Sequence, residues 1–475
     1  MTTILSIHGY GISKLFYRDE IENLKKDLIM KPNINFSLGD VEEKTFNIYH
    51  ETDKIIYIPR YYGLQKFGNP QIDKLGIHQQ KRENLKFQGK LRDQQLVPVK
   101  NFLEAANNPL KRGGIISVPC GFGKTIMSVY IACELKVKTL FVSHKDFLNQ
   151  QFRDTVSQFV PSACIGKIKQ SKVDVENKDI VIASLQSLAM RDYNIDIFKE
   201  FGFVIIDEVH HMGAEVFSRA FQKMNAPVIL GLSATLNRKD GMRRVFENFI
   251  GKSVYKLQKN EKITVNVQIH KYFDTDISYS AKRVLWNGKP NVAAMINNIC
   301  SFENRTLFII DLIKDVLKNE KDRKFLILSE RRNHLTKIET ELQNKDISQD
   351  IGYYVGGMTQ DKLDISSNKQ IILATYQMAA EGMNIPSLNT VIFASPISDI
   401  QQSIGRILRE KPNERKYIPL CIDIWDEFSV FKNKGFTRIK YYEKNGYDVK
   451  YYLDNEEIKV HYDKKDEKVQ FIDDE

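Results

Sequence analysis

The sequence predicts an α/β protein with two tandem parallel-sheet domains and a small N-terminal α+β accessory domain. Two long stretches of the 475-residue chain alternate short apolar runs with longer segments of helical spacing. The runs are nearly continuous in Ile, Val and Leu, which is typical of strands buried on both faces of a parallel sheet. Residues 1–90 differ, because their short apolar runs are bounded by polar residues and proline and accompany one amphipathic helix.

The predicted strands of the two parallel sheets form two groups of five. The first group is Ile115–Val118, Leu140–Val142, Ile180–Ala183, Val204–Ile206 and Val228–Leu232. The second group is Phe325–Leu328, Gly352–Val355, Ile371–Ala374, Val391–Ala394 and Pro419–Ile424. The predicted division is therefore an accessory domain at 1–90, a first α/β domain at 91–254, a connector at 255–300, a second α/β domain at 301–434, and an appendage with a charged tail at 435–475.

The charge of the chain is uneven. The formal net charge is +10, and the stretch from Arg60 to Lys100 holds nine basic and three acidic residues, a local balance of +6. Interleaved aromatic residues can stack on bases or pack in a core. A basic stretch with aromatics indicates a polyanionic partner such as nucleic acid, although charge of this size also serves solubility.

The composition also bears on the compartment. Five cysteines are scattered without C-x-x-C spacing, which is typical of free thiols in a reducing environment. No apolar run approaches the roughly 18 residues that span a bilayer, and the first ten residues lack a signal-peptide pattern. We therefore expect an intracellular protein of the cytoplasm, nucleus or virion that is neither secreted nor held in a membrane.

A glycine-rich loop joins the first predicted strand to a helix. The loop reads Val118-Pro119-Cys120-Gly121-Phe122-Gly123-Lys124-Thr125. Glycines let backbone N–H groups approach an anion, and the N-terminus of the following helix adds partial positive charge. Lys124 can reach β- and γ-phosphates, and the Thr125 hydroxyl can ligate Mg²⁺. Because Val118 stands where the strict phosphate-loop pattern has glycine, the segment fits the looser form P-x-G-x-G-K-T. It predicts a site for ATP and Mg²⁺.

An acidic pair ends a later strand of the same predicted sheet. The run Val204–Ile206 is followed by Asp207 and Glu208. At the carboxyl end of this strand, Asp207 is suited to hold Mg²⁺, and Glu208 is suited to orient and deprotonate an attacking water. An Asp-Glu pair can also merely end a strand, but the upstream phosphate loop favours the catalytic interpretation. The adjacent His210 and His211 point in different directions and do not predict a zinc site.

Four motifs, in this order along the chain, resemble those of the superfamily 2 helicases of the DExH type. They are the loop at 119–125, Asp-Glu-Val-His at 207–210, Ser-Ala-Thr at 233–235, and Gln-Ser-Ile-Gly-Arg-Ile-Leu-Arg at 402–409. The resemblance covers about residues 91–426 and implies two RecA-like domains. The sequences at 91–95, 237–241 and 441–447 are similar to the XPB-like branch, and especially to helicases of large DNA viruses of the poxvirus transcript-release type.

This resemblance implies roles for individual residues. Gln95, or by a shift of one position Gln94, reads the adenine. Coupling of hydrolysis to movement is implied for Ser233, Ala234, Thr235, Gly382 and Asn384. Asn384 stands where many relatives have aspartate, so a charged role is not implied there. Gln402 positions water or senses phosphate, and Arg406 and Arg409 are arginine fingers from the second domain that complete the site. Nucleic-acid contacts are implied for Ser143, His144, Lys145, Ser184, Gln186, Arg331 and Thr375.

The predicted function is an ATP-driven motor that acts on DNA, in viral transcription termination, transcript release or repair. We expect a monomer in its core activity, with nucleic acid and a transcription complex as partners. Three alternatives stay open. They are an RNA helicase, a translocase that remodels a transcription complex without separating strands, and a nucleotide-switched scaffold with little turnover.

Overall fold

The computed structural model describes residues 3–32, 45–75, 81–119, 121–209, 212, 214–234, 241–257, 264–381, 383, 385–410, 414–454, 456–458, 460–463 and 468–471. The chain forms two compact units, Met1–Gln258 and Lys259–Glu475. In the described ranges, no helix is both long enough and apolar enough to cross a bilayer. Cys133, Cys164, Cys300 and Cys421 are free thiols, and Cys120 lies outside the described residues.

The first unit begins with a small antiparallel-rich sheet and two helices. The first strands are β1 (Thr3–Ser6), β2 (Gly9–Ser13), β3 (Ile29–Met30), β4 (Phe46–Asn47), β5 (His50–Glu51), β6 (Ile55–Ile58) and β7 (Ile72–Asp73), with helices α1 (Arg18–Asp27) and α2 (Arg60–Phe67). Five of these strands form one sheet in the order β5-β6-β2-β1-β7. Its pairs are antiparallel except for β1 with β7, which is parallel. Strands β3 and β4 pair with each other as a separate two-stranded sheet.

An eight-stranded sheet follows. Its strands are β8 (Gly113–Ser117), β9 (Thr139–Ser143), β10 (Ile165–Lys169), β11 (Lys172–Asp174), β12 (Ile180–Ser184), β13 (Phe203–Ile206), β14 (Val228–Ser233) and β15 (Ser253–Lys256). They lie in the order β11-β10-β12-β9-β13-β14-β8-β15. The helices are α3 (Asp93–Asn107), α4 (Lys124–Leu135), α5 (Asp146–Phe159), α6 (Leu185–Met190), α7 (Ala214–Phe221) and α8 (Arg243–Ile250), with a 3₁₀ turn at Ile195–Phe198. Across the sheet from β10 to the edge strand β15, all neighbouring strands are parallel. The other edge strand, β11, pairs with β10 in the antiparallel direction.

The accessory sheet is attached to the first α/β sheet through a buried arginine. Arg60 is 1% exposed, and its guanidinium donates to the carbonyl oxygens of Arg112 (3.1 Å), Pro227 (2.9 Å) and Ile250 (3.2 Å). Apolar side chains of both sheets belong to one continuous core. A buried cation that satisfies several carbonyls holds a packing arrangement in place, because its removal leaves those acceptors unpaired. The accessory sheet is thus an integral part of the first unit.

The second unit contains another eight-stranded sheet. Its strands are β16 (Asn266–Tyr272), β17 (Phe325–Ser329), β18 (Ile351–Tyr354), β19 (Ile371–Thr375), β20 (Thr390–Phe393), β21 (Leu420–Asp426), β22 (Asp448–Leu453) and β23 (Glu456–Ile458). They lie in the order β18-β19-β17-β20-β21-β16-β22-β23. The helices are α9 (Val292–Ser301), α10 (Glu303–Asn319), α11 (Arg332–Asn344), α12 (Gln360–Ser367), α13 (Tyr376–Glu381), α14 (Gln401–Ile404) and α15 (Ser429–Lys444). A hairpin of β24 (Val460–Asp463) and β25 (Lys468–Phe471) ends the described chain.

The predicted fold class is confirmed, since all ten predicted strand runs coincide with strands of the two parallel sheets. The predicted domain division stays a prediction. Strand β16 lies within the predicted connector at 255–300, where apolar and polar residues alternate instead of forming a continuous apolar run. The predicted boundary at 434/435 falls inside α15. That helix packs against β21, where a Cβ on Gly435 would lie 2.2 Å from Trp425 Nε1.

Candidate active site

The order of the first large sheet brings the predicted phosphate-binding and acidic segments to one edge. Strand β14 lies between β8 and β13, and all three run parallel. The carboxyl ends of parallel strands meet at the same edge of a sheet, where ligands of open α/β folds bind. The phosphate loop follows β8, the acidic pair follows β13, and β14 ends at Ser233, which Ala234 follows. Val118 N–H donates to the Ser233 carbonyl at 3.1 Å, which joins two of these segments directly.

Two glycines allow the loop conformation that precedes α4. Gly121 has φ +82° and Gly123 has φ +91°, both in the left-handed region that other residues rarely adopt. A Cβ at Gly123 would also lie 2.2 Å from the Gln95 amide nitrogen. Helix α4 then begins at Lys124, whose side chain is largely buried at 8% exposure. Pro119 is exposed and Thr125 half-buried, whereas Cys120 lies outside the described residues.

Helix α3 supports this loop from behind. Gln95 is 1% exposed, and its amide nitrogen donates to the Phe122 carbonyl at 2.9 Å. Its amide oxygen accepts the Arg92 N–H at 2.9 Å, and an Arg92 guanidinium nitrogen donates to the same Phe122 carbonyl at 3.1 Å. Gln94 is exposed. Gln95 is therefore the glutamine of the pair that contacts the loop, and its role in reading adenine stays a prediction.

The acidic pair lies beside the loop lysine. Lys124 Nζ is 2.9 Å from Glu208 Oε1, and the Glu208 N–H donates to Asp207 Oδ1 at 3.0 Å. Glu208 has φ +50°, a left-handed conformation that is strained for a residue with a Cβ and costs on the order of 1 kcal/mol. Backbone strain of this kind is found at functional sites, where surrounding contacts hold it in place. His210, His211 and Thr235 lie outside the described residues.

Burial sets the electrostatics of Asp207, which is 5% exposed. Burial, followed by the charge of neighbouring Glu208, raises the pKa of Asp207 to about 7, and the Lys124 ammonium opposes that rise. Burial makes a carboxylate costly to ionise, and a cation close to it lowers that cost. A cation in addition to the Lys124 ammonium would therefore stabilise the ionised form of Asp207 further. The site thus combines one lysine, two carboxylates and the backbone N–H groups of a glycine loop.

In the second unit the structure places Arg406 in the protein interior. Arg406 is 4% exposed, and its Nε and Nη1 donate to the carbonyls of Ala379 (2.6 Å) and Met383 (2.8 Å). Gln402 and Arg409 are half-buried on the same segment. Arg406 therefore clamps the backbone that follows β19, and its predicted action on the γ-phosphate stays a prediction. Gly382 and Asn384 lie outside the described residues.

The predicted nucleic-acid contacts fall into two local groups, one in each unit. In the first, the buried Ser143 hydroxyl donates to the Lys145 carbonyl at 3.0 Å. Gln186 Nε2 donates to the His144 carbonyl at 3.3 Å, and the Ser184 hydroxyl donates to the Gln186 amide oxygen. In the second, Arg331 Nε donates to Asn297 Oδ1 at 2.5 Å. Thr375 is the last residue of β19 and pairs with Ser329 of β17. Ser329 lies two residues before Arg331.

Arg92 is a residue of the site that the motif analysis missed. Its backbone N–H donates to the Gln95 amide oxygen at 2.9 Å and its carbonyl accepts the Gln95 N–H at 2.8 Å at the start of α3, while its guanidinium contacts the phosphate loop. The available signal was the three-residue spacing to a glutamine at a helix start, which is typical of a capping box. Arginine is an unusual residue in that position, so the pattern did not stand out.

Comparisons with known proteins agree with this fold. Residues 88–238 match the family model described as type III restriction enzyme, res subunit, and residues 308–411 match the helicase conserved C-terminal domain. Among solved structures, a fragment of a candidate HsdR subunit of a type I restriction enzyme from Vibrio vulnificus has a TM-score of 0.53 at 18% identity. That match covers 79% of this chain and 72% of the fragment, and it shows likeness of fold.

Viral proteins are similar over most of the sequence. A candidate helicase of Invertebrate iridescent virus 6 is 27% identical over 386 residues, which are 77% of this chain and 84% of the relative. A candidate ATP-dependent RNA helicase of Acanthamoeba polyphaga mimivirus is 35% identical over 470 residues, which are 97% of this chain and 89% of the relative. With both helicase domains matched and that relative aligned over nearly its full length, the chain belongs to the superfamily 2 helicases, enzymes that act on nucleic acid in an ATP-dependent manner.

Proposed function

We propose that the protein is an ATP-hydrolysing motor that translocates along DNA or unwinds it. The observation that carries this proposal is the 2.9 Å contact between Lys124 Nζ and Glu208 Oε1 at the end of a glycine loop. This contact places a phosphate-binding cation and a general base side by side. A site that only held a nucleotide would need the lysine and the loop but not the second carboxylate.

The chemistry assigned to these residues is phosphoryl transfer to water. The loop N–H groups and Lys124 bind the triphosphate and stabilise the charge that develops on the γ-phosphate. Lys124 exchanges its contact with Glu208 for the phosphates, so Glu208 becomes able to orient a water and accept its proton. Gln95 and Arg92 keep the loop in the binding conformation through their bonds to the Phe122 carbonyl.

The residues present fit Mg²⁺. Thr125 and Asp207 offer hydroxyl and carboxylate oxygens, the ligand type that Mg²⁺ prefers, and Asp207 is a buried carboxylate stabilised by added positive charge. The described residues contain no cluster of three or more His, Cys, Asp or Glu that could enclose a metal. That agrees with a cation held by one or two protein ligands together with substrate phosphates. When bound, Mg²⁺ would neutralise charge on the β- and γ-phosphates.

We assign the remaining site residues by their motifs. Arg406 and Arg409 supply positive charge to the γ-phosphate, and Gln402 senses it. Residues 233–235 and 382–384 couple hydrolysis to movement. Supporting this assignment, the Ser233 carbonyl accepts a hydrogen bond from Val118, and Arg406 bonds the Met383 carbonyl within the second coupling segment. Strand-end loops with Ser143, Lys145 and Arg331 grip nucleic-acid phosphates and give little sequence preference.

The DNA substrate and the cellular role rest on finer resemblance. The sequences at 91–95 and 237–241 support placement in the XPB-like branch, near the poxvirus transcript-release type. We therefore propose a monomeric motor that acts inside the cell or the virion, in a reducing environment, on a transcription complex or in repair. The four free thiols of the described chain support the reducing environment.

A second candidate function is an RNA helicase. It is favoured by the mimivirus relative, which is named as a candidate ATP-dependent RNA helicase. Phosphate contacts from strand-end loops serve either nucleic acid, because both backbones carry the same charge. The difference lies in recognition of the 2′-hydroxyl and the helix form.

One experiment separates these functions. Phosphate release is measured with the full-length protein alone and with single-stranded DNA, duplex DNA and RNA at matched nucleotide concentration. We expect stimulation by DNA, which falls steeply with salt because several phosphates are neutralised. Stimulation by RNA alone would support the second candidate. No ATP turnover under any condition would contradict both and favour a nucleotide-switched scaffold. A strand-displacement assay then tells unwinding from translocation.

A further inference from the structure

A short hairpin in the second unit presents its most apolar residues to solvent. It lies between β16 and α9, where Val284 and Pro290 form an antiparallel bridge. The turn is closed by Leu285 N–H, which donates to the Lys289 carbonyl at 2.7 Å. At the tip, Trp286 is 97% exposed, and Val284 and Leu285 are 62% and 42% exposed. Three consecutive exposed apolar residues with an indole at the apex indicate a contact surface, because an isolated fold gains nothing by exposing them.

The base of the hairpin is firmly anchored although its tip is exposed. Asn291 N–H donates to the Arg283 carbonyl at 2.7 Å, and the Asn291 side chain caps α9. The preceding loop is held by Asn298, whose Nδ2 donates to the carbonyls of Ser278 (2.8 Å) and Tyr279 (3.1 Å). The Tyr279 ring is buried, and its hydroxyl bonds Asp426 at the end of β21. The indole therefore projects from a fixed platform.

Charge around the tip favours a polyanion as the occupant. Residues 277–291 contain Lys282, Arg283 and Lys289 and have no acidic residue, a local charge of +3. Lys282 and Arg283 are exposed and precede Trp286 by four and three residues. An exposed aromatic ring flanked by cations matches a nucleic-acid strand, whose bases stack and whose phosphates pair with Lys and Arg. An apolar protein surface would match the indole but leave the cations without a counterpart.

The hairpin is also linked to a loop predicted to contact nucleic acid. Arg331 Nε donates to Asn297 Oδ1 at 2.5 Å, and Arg331 Nη2 donates to the Ala293 carbonyl at 3.5 Å. Both acceptors lie on α9, the helix that starts directly after the hairpin. The strand-end loop after β17 and the base of the hairpin are thus fastened to the same helix.

We propose that residues 282–290 form a nucleic-acid contact site in which Trp286 stacks on an unpaired base and Lys282 and Arg283 hold the neighbouring phosphates. Stacking uses the face that every base has, so this contact is sequence-tolerant. The proposal rests on the proposed function, because it requires a bound single strand. It adds a base contact to an otherwise phosphate-directed set of loops.

The two tryptophans of the chain provide a direct test, because Trp425 is 1% exposed and buried in the core. The full-length protein is titrated with a fluorescein-labelled oligothymidylate to measure binding by anisotropy, and with the unlabelled strand to measure tryptophan emission. We expect emission to be quenched as the strand binds, and the quenching to disappear in Trp286→Phe, which retains Trp425. Saturable binding with unchanged tryptophan emission would overturn the proposal.

Affinity gives an independent measurement. Trp286→Ala should weaken binding roughly tenfold or more, whereas Trp286→Phe keeps an aromatic face and should stay within about threefold of wild type. Log affinity falls with log salt in proportion to the number of phosphates neutralised. Replacing both Lys282 and Arg283 with Ala should make this negative slope shallower by about one to two. Ile365→Ala is the matched control, because Ile365 is 64% exposed on α12 of the same unit and should leave affinity unchanged.

The outcomes distinguish this proposal from the proposed function. If neither DNA nor RNA binds or stimulates ATP hydrolysis, the proposed function fails and this inference fails with it. If nucleic acid binds and stimulates hydrolysis while Trp286→Ala has wild-type affinity, only the stacking site is refuted. A hairpin that docks a protein partner gives this second result. Circular dichroism checks that the Trp286→Ala variant is folded.

Discussion

Lys124 Nζ lies 2.9 Å from Glu208 Oε1, although the two residues belong to different strand–loop connections of the first sheet. The contact forms because β14 alone separates β8 from β13, so both connections leave the sheet at the same edge. It joins the proposed phosphate-binding cation to the proposed general base. Two substitutions of this pair should therefore affect binding and turnover differently.

Lys124→Ala should abolish ATP hydrolysis, with a loss of at least about 100-fold, because it removes the cation that stabilises the transferring phosphoryl group. Phosphate release in the presence of nucleic acid measures the effect. Lys100→Ala is a matched control, since Lys100 is exposed on α3 and should keep wild-type activity. Circular dichroism checks that the variant is folded. Near-normal turnover by Lys124→Ala would contradict the role assigned to this lysine.

Glu208→Gln should separate ATP binding from turnover. The amide oxygen can still accept a hydrogen bond from Lys124, but the side chain can no longer take a proton from water. We expect nucleotide affinity within about threefold of wild type and a loss of turnover of about 100-fold or more. A fluorescent-nucleotide titration and single-turnover phosphate release measure the two quantities. Glu215→Gln, at an exposed position of α7, serves as the control. Equal losses of affinity and turnover would argue that Glu208 mainly shapes the binding site.

Much of this site could be predicted because its parts are contiguous sequence segments. The glycine loop and the acidic pair each follow an apolar strand, so local patterns predict both their structure and their chemistry. The support from Arg92 could not be predicted in the same way, because it depends on how α3 packs against the loop. The burial of Arg406 was also missed. A Q-x-x-G-R-x-x-R pattern predicts a charged surface and gives no sign that the guanidinium bonds Ala379 and Met383.

The same distinction applies to the fold. Strands buried on both faces were predicted because they are continuous apolar runs. Strand β16 alternates apolar residues with Gln268, His270 and Lys271, and its polar residues are accommodated by tertiary contacts that the sequence does not display. His270 stacks on Tyr452 at 4.7 Å between ring centroids, and Lys271 pairs with Glu427 at 2.6 Å. The exposed tip at Trp286 is likewise a property of the folded hairpin.

Two buried histidines should make stability depend on acid pH. Burial lowers the pKa of His270 to about 4 and that of His334 to about 3, although the nearby Asp423 charge opposes the shift at His270. In the unfolded chain these rings have a pKa of about 6.5, so the unfolded state binds more protons below that pH. The free energy of unfolding should therefore fall as the pH drops from about 6.5 towards 4, by on the order of 1 kcal/mol per pH unit for each histidine.

Urea unfolding across this pH range measures the dependence. Both ring nitrogens of His270 have no hydrogen-bond partner among the described residues, so His270→Phe should keep the stability at pH 7 and reduce the acid loss. His334 differs, because its Nδ1 lies 3.0 Å from the Ser329 hydroxyl. A pH dependence that is identical in wild type and His270→Phe would show that His270 is not one of the responsible groups.

The two arginines of the second unit should respond differently to substitution. Arg406 donates to two buried carbonyls, so Arg406→Ala leaves both unpaired and should lower the free energy of unfolding by about 2–4 kcal/mol. Arg406→Lys should not restore it, because one ammonium cannot reproduce the planar geometry of two guanidinium nitrogens. Half-buried Arg409 should tolerate Ala with little loss of stability, while hydrolysis falls by about 100-fold or more if it acts on the γ-phosphate.

Thermal unfolding and phosphate release are measured on the same preparations. Together they distinguish an arginine that holds the backbone in place from one that acts on the γ-phosphate. A lower midpoint for Arg406→Ala, together with reduced hydrolysis, is expected if the guanidinium holds the segment after α13 in place. A wild-type midpoint with hydrolysis lost would instead show that Arg406 acts on the nucleotide and contributes little to packing. For Arg409→Ala we expect a wild-type midpoint together with slow hydrolysis. Wild-type turnover by Arg409→Ala would remove that residue from the proposed reaction.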